Sequence, residues 1–167
     1  MPKSFALALF LAAGLAAEPP PRLGPSGLAV PRFVSLNSGE VNARQGPSFA
    51  HPVLWRYQRA GLPVRVTAES GPWRRVEDHE GDRAWVHAAK LSHERTVVAA
   101  QRLAIRSRRS ERARAKLWLE PGVVAVLEDC LGQWRKLRVE GKSGWAPAAA
   151  VWGAPACESD PPKAAKT

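Results

Sequence analysis

The chain carries the same tryptophan-marked segment twice. The first copy, GPWRRVEDHEGDRAWVHAAKL, runs from Gly71 to Leu91, and the second, GQWRKLRVEGKSGWAPAAAV, from Gly132 to Val151. Trp73 matches Trp134, Arg74-Arg75-Val76 matches Arg135-Lys136-Leu137, and Trp85 matches Trp145 after one deleted residue. Upstream, Gly61 pairs with Gly122 and VNAR (Val41 to Arg44) with LAIR (Leu103 to Arg106). Internal duplication limits the architecture more than any other sequence feature, because one folded unit must be built twice. Each unit is about fifty residues of short strands, too small for most enzymes and suited to a small β-barrel.

Strand signals run from Phe33 to Trp152. Leu62 to Ala68 (LPVRVTA) alternates apolar and polar residues, as a half-buried strand does. Trp73 to Val76 and Ala84 to Val86 follow as short strands, separated by the turn clusters Ser70-Gly71-Pro72 and Glu80-Gly81-Asp82. A longer irregular loop opens at Gln45-Gly46-Pro47-Ser48, and Ala88 to Leu91 reads as one helical turn. Arg95 to Ala99 is expected to be the last strand of the first unit. The second copy repeats the order with Leu103 to Arg106, Leu117 to Leu119, Val123 to Glu128, Trp134 to Val139 and Lys142 to Pro147. A barrel of this size is marginal alone, so the two are expected to pack together, with Trp152 under the second barrel or at the seam.

The ends point to export. Residues 1–17 read as a secretory signal peptide: Lys3, then the apolar run FALALFLAAGL, then small residues at Leu15-Ala16-Ala17. The run falls short of the roughly twenty residues needed to span a bilayer, although an uncleaved anchor is the alternative. No comparable run follows, so no transmembrane span is expected in the mature chain. Residues 18–31 (EPPPRLGPSGLAVP) read as a Pro-rich spacer. The expected order is then barrel one over 32–100, a divergent barrel two over 101–153, and a mobile tail over 154–167. Cys130 and Cys157 either bridge, as an exported chain allows, or remain as two free thiols.

The chain has 25 basic and 15 acidic side chains, a net +10. The excess is uneven: 10 basic against 7 acidic over 32–100, and 11 against 5 over 101–153. The densest stretch, Arg102 to Lys116, holds Arg106, Arg108, Arg109, Arg112 and Arg114 with Glu111 as its only acid. Such a surface attracts phosphates and carboxylates, or is simply a solvated loop. Nucleic acid is disfavoured by the leader, which leaves lipid head groups, lipopolysaccharide phosphates and cell-wall carboxylates.

VNARQGP (Val41 to Pro47), followed by GPWRRV, Gly81 and AWVHAAKL, resembles the bacterial SH3-like domain family. PVLWRYQRAGLPV (Pro52 to Val64) is similar to a subgroup with two such domains after a signal peptide. Copy one departs at Ala84, where the family has Gly; copy two keeps GQWRKL and GWAP but has Ser107-Arg108-Arg109-Ser110 in place of the Gly-Pro turn. The resemblance implies an all-β chain of two tandem small SH3-like β-barrels, located in the periplasm or secreted. It also implies binding without catalysis or cofactor, commonly to peptidoglycan or its stem peptides.

A peptide groove is expected beside the first long loop, drawing on Arg44, His51, Trp55, Tyr57 and Trp73, with Phe49 nearby. Trp55 and Tyr57 are two apart and so share a face, here assigned to the groove. Arg44 is expected either to hold a ligand carboxylate or to bond loop carbonyls. Trp85 and Trp145 are assigned to core packing, whereas Trp73 and Trp134 fit core or ligand contact equally. Catalytic alternatives are weak. Cys130 sits among acids with all four histidines in the other copy, and His79, His87 and His93 lack metal-ligand spacing. The expected function is binding of peptidoglycan, stem peptide or another anionic envelope component. The alternatives are a scaffold for an envelope protein, or anionic-lipid or lipopolysaccharide binding through Arg102 to Lys116.

Overall fold

The computed structural model describes residues 22–155 and Cys157; the expected leader and most of the tail lie outside the described residues. A short hairpin, β1 (Arg22–Leu23) and β2 (Ala29–Val30), precedes two seven-stranded sheets. The first sheet contains β3 (Arg32–Leu36), β4 (Val41–Arg44), β5 (Val53–Tyr57), β6 (Pro63–Ser70), β7 (Trp73–Glu77), β8 (Arg83–His87) and β9 (Leu91–Ser92). The second contains β10 (Thr96–Ala99), β11 (Leu103–Arg106), β12 (Ala115–Leu119), β13 (Val124–Leu131), β14 (Trp134–Val139), β15 (Lys142–Pro147) and β16 (Val151–Trp152). A 3₁₀ turn precedes the last strand of each, at Ala88–Lys90 and Ala148–Ala150.

The duplication is preserved strand for strand. The first sheet is ordered β5-β4-β8-β7-β6-β3-β9 and the second β12-β11-β15-β14-β13-β10-β16, the same permutation. Even the β-bulges recur, at Ala43/Arg44 and Ile105/Arg106, and again within β6 and β13. Gly61 and Gly122 both sit at positive φ (75° and 83°) and donate their amides to Leu36 and Ala99, a backbone state that glycine adopts without strain. Thr96–Ala99 corrects one expectation. It pairs with β13 and β16, so the strand expected to end the first sheet begins the second.

Each sheet wraps a core of small aliphatic side chains. Leu36, Val41, Val64, Val66, Val76 and Val86 fill the first, and Val97, Ile105, Leu119, Leu127 and Leu137 the second. The tryptophans are not the centres of these cores. Along β8 and β15 alternation points Ala84, Val86 and Ala146 inward, which leaves Trp85 and Trp145 half-buried on the outer face, contrary to their expected core role. The departure at Ala84 has a partner. A Cβ on Gly144 would lie 2.6 Å from Ile105 Cγ2 and 2.6 Å from the Arg106 carbonyl oxygen. The position of Ile105 is taken in copy one by Ala43, so Ala43 with Ala84 replaces Ile105 with Gly144.

The copies pack against one another. Thr96 Oγ1 donates to the Gly61 carbonyl at 2.6 Å, and the buried Ser35 hydroxyl lies 2.6 Å from the Thr96 hydroxyl. The Trp152 ring meets Phe33 edge-on at 5.1 Å, placing it at the seam, and Val124 packs against the first core.

The first and last described segments dock at equivalent positions. Glu69 and Cys130 occupy the same register, opposite Arg74 and Arg135. In copy one Glu69 receives the Ser26 amide at 2.9 Å and hydroxyl at 2.8 Å, and pairs with Arg32 at 2.8 Å and Arg74 at 3.1 Å. Burial alone would raise the Glu69 carboxyl, but the Ser26 and Arg32 bonds and the Arg74 charge hold its pKa down to about 2. Residues 22–31, expected to be a spacer, are thus a hairpin fastened to the first sheet. In copy two Cys130 forms a disulfide with Cys157, and Arg135 donates to the Pro155 carbonyl at 3.0 Å.

Candidate functional site

The loop after β4 is held by its own backbone and by Arg44. His51 N bonds to Ser48 O and Gln45 N to Pro52 O, while Arg44 Nη1 donates to the carbonyls of His51 at 2.8 Å and Phe49 at 3.2 Å. Arg44 thus bonds loop carbonyls, one of its two expected roles. His51 turns inward: its Nδ1 lies 2.8 Å from Ser48 Oγ and its ring covers Gly46, where a Cβ would come within 2.4 Å.

This frame presents Phe49, which is 71% exposed. Its ring stacks on His87 at 5.7 Å and meets Trp73 edge-on at 5.0 Å, with the Arg44 guanidinium 5.6 Å from its centre. Trp73 is itself buried and stands at 5.3 Å from His87. Together they line an open cleft of about 280 Å³, whose other lining comes from Glu40, Asn42, Arg56 and Lys90. A lining that combines rings with charged and amide groups suits an extended peptide, which offers flat backbone faces and a few polar ends.

Of the expected groove residues, the structure brings Arg44 and Trp73 into this cleft; it leaves out His51, and likewise Trp55 and Tyr57. Trp55 and Tyr57 do share a face, with rings edge-on at 6.0 Å, but it is the core face. Tyr57 is 8% exposed and donates its hydroxyl to Asp78 Oδ2 at 2.9 Å. Burial first, and then the adjacent Asp78 carboxylate, push the phenol pKa well above its ordinary value. Asn42, Arg56, His87 and Lys90 escape sequence reasoning because they converge from β4, β5, β8 and the 3₁₀ turn. The alternation of β8 was the one signal that could have placed His87 on the same outward face as Trp85.

Copy two keeps the loop and changes what it carries. Ala113 N bonds to Ser110 O, Ser107 N to Arg114 O, and Arg106 Nη1 to Ala113 O at 2.9 Å, the bonds made by His51, Gln45 and Arg44. Loss of the Gly-Pro turn has therefore not altered the backbone. By this register Glu111 stands for Phe49, and Pro147 for His87. Arg108, Arg112 and Arg114 are exposed, and Arg109 lies 5.6 Å from the Trp145 ring centre.

Catalysis through Cys130 finds no thiolate here, since its sulfur is bonded to Cys157. Among the described residues no cluster of three or more His, Cys, Asp and Glu side chains is placed to hold a metal ion, and no helix is long and apolar enough to cross a membrane.

Among solved structures, the chain is similar to NlpC2 of Trichomonas vaginalis at 12% identity and a TM-score of 0.34, over 74% of this chain and 48% of that one. NlpC1 from the same organism gives 12% identity and a TM-score of 0.35, over 73% and 45%. The chain thus spans about half the length of these structures. No curated protein matches it. The family model for the bacterial SH3 domain matches twice, over residues 37–93 and 99–153. With two matches that fall on the two sheets and cover most of its length, the chain belongs to the bacterial SH3 domain family, as a tandem pair.

Proposed function

We propose that this protein is a non-catalytic binding module of the cell envelope, exported to the periplasm or beyond, whose first SH3 domain takes a peptidoglycan stem peptide. The observation that carries this reading is Phe49, a large ring left 71% exposed on a loop that Arg44 and Ser48 hold in place. An exposed aromatic packed beside Trp73 and His87 supports a contact surface rather than a packing defect. Arg56 and Lys90 in the cleft lining supply cations for a peptide carboxylate, and Glu40 an acceptor for an amine. The disulfide fits an oxidising compartment.

Retention of the full chain on purified peptidoglycan at physiological salt tests this. Phe49→Ala and Arg56→Ala should each lower retention about tenfold, the loss expected for a central aromatic or charged contact. Tyr57→Phe should leave it unchanged. Absence of retention, or retention indifferent to Phe49, refutes the assignment. Capture of one envelope protein without wall association would favour the scaffold reading instead.

A further inference from the structure

The face of copy two equivalent to the peptide cleft has been re-equipped rather than lost. In copy one Glu40 and Arg56 face each other at 4.0 Å across β4 and β5. By the register of β11 and β12, Arg102 stands where Glu40 does and Trp118 where Arg56 does. The Arg102 guanidinium lies 4.6 Å from the Trp118 ring centre, and Trp118 is 51% exposed. A base thus stands in place of an acid, and a tryptophan in place of a base, at two facing surface positions. The adjoining loop changes in the same direction. Arg108, Arg112 and Arg114 replace Gly46, Ala50 and Pro52 on an unchanged backbone. The exchange at 108 is sterically linked: His51 closes the space over Gly46, and Ala113 in its place opens it. From Arg102 to Glu120 there are seven basic and two acidic residues. Glu120 pairs with Arg102 at 3.0 Å, both exposed, where water weakens the attraction.

We propose that this face of the second domain docks on the phosphate layer of an anionic lipid surface. Guanidinium forks match phosphate oxygens in pairs. An exposed indole among cations suits the boundary between water and acyl chains, where tryptophan is enriched, and has no equivalent use against a soluble polyphosphate. The docking is independent of the peptide cleft, so one chain would hold wall and membrane together.

The full-length protein should cosediment with phosphatidylglycerol-containing vesicles but not with phosphatidylcholine alone, and salt should weaken the binding steeply. At roughly fivefold per arginine, Arg108→Gln with Arg112→Gln should weaken vesicle binding about 25-fold. These exposed changes should leave the melting temperature unaltered. Trp118→Ser should weaken vesicle binding and leave binding to inorganic polyphosphate unchanged. Phe49→Ala should have no effect on vesicles, which separates this proposal from the peptide cleft. Salt-insensitive binding, indifference to the arginine pair, or preference for polyphosphate or duplex DNA over vesicles overturns it.

Discussion

Tyr57 offers the sharpest test of how the first domain is assembled. Its hydroxyl donates to Asp78 Oδ2 at 2.9 Å, while Asp78 Oδ1 receives the amides of Glu80 at 3.1 Å and Asp82 at 3.0 Å. Asp78 is 5% exposed, so water has little access to replace a lost donor. Tyr57→Phe keeps the ring in the core and leaves no cavity; it removes only the bond to the buried carboxylate oxygen. A hydrogen bond to a charged group contributes about 2 kcal/mol, and an unsatisfied buried acceptor costs a similar amount. For a chain of this size that corresponds to a fall of about 6 °C in melting temperature, read by calorimetry at neutral pH with the disulfide intact. Asp78→Ala should cost more, because two turn amides also lose their acceptor. A double-mutant cycle should therefore return a coupling of about 2 kcal/mol between the two side chains. Copy two supports the logic: the corresponding positions are Leu119 and Val139, an apolar pair above a turn one residue shorter. A Tyr57→Phe protein that melts with the parent, or that folds normally and loses wall retention, would falsify the core assignment.

Glu69→Gln should release the N-terminal hairpin, seen as loss of hydrogen-exchange protection at the Ser26 amide; unchanged protection argues against the latch. Because the folded-state pKa of Glu69 is depressed from 4.5 to about 2, its contribution is complete above pH 4.5 and is lost as pH falls through about 2. Protection that holds constant across that window would contradict the role of the carboxylate. Gly144→Ala should destabilise by about 1–3 kcal/mol through overpacking, and Ile105→Ala should cost less in that chain than in the parent, because it relieves part of the clash. Purely additive effects in denaturant melts would rule out the proposed exchange with Ala43 and Ala84. Reduction of Cys130–Cys157, which closes a separation of 27 residues, should cost about 3–4 kcal/mol and free the Pro155 contact with Arg135. An identical urea midpoint with and without reductant would show that the bridge carries no stability.

The repeat and the strands that form the meander of each copy were legible in the residues alone, whereas the hairpin over 22–31 and the short closing strands β9 and β16 were not. Period-two alternation and turn glycines are local properties, and the duplicated Trp, Gly and VNAR/LAIR positions carry the register of one copy to the other. What the linear chain could not decide is which side of a strand becomes the inside. Trp55 and Tyr57 do share a face, but only the curvature of the closed sheet made it the core face. The ownership of Thr96–Ala99 was equally hidden, since either sheet can accept an apolar strand and only the pairing with β13 and β16 settles it. Contacts between distant residues were invisible for the same reason. Ala43 with Ala84 against Ile105 with Gly144, and His51 over Gly46 against Ala113 beside Arg108, are properties of pairs, and they exist only once tertiary folding has brought the partners to van der Waals distance.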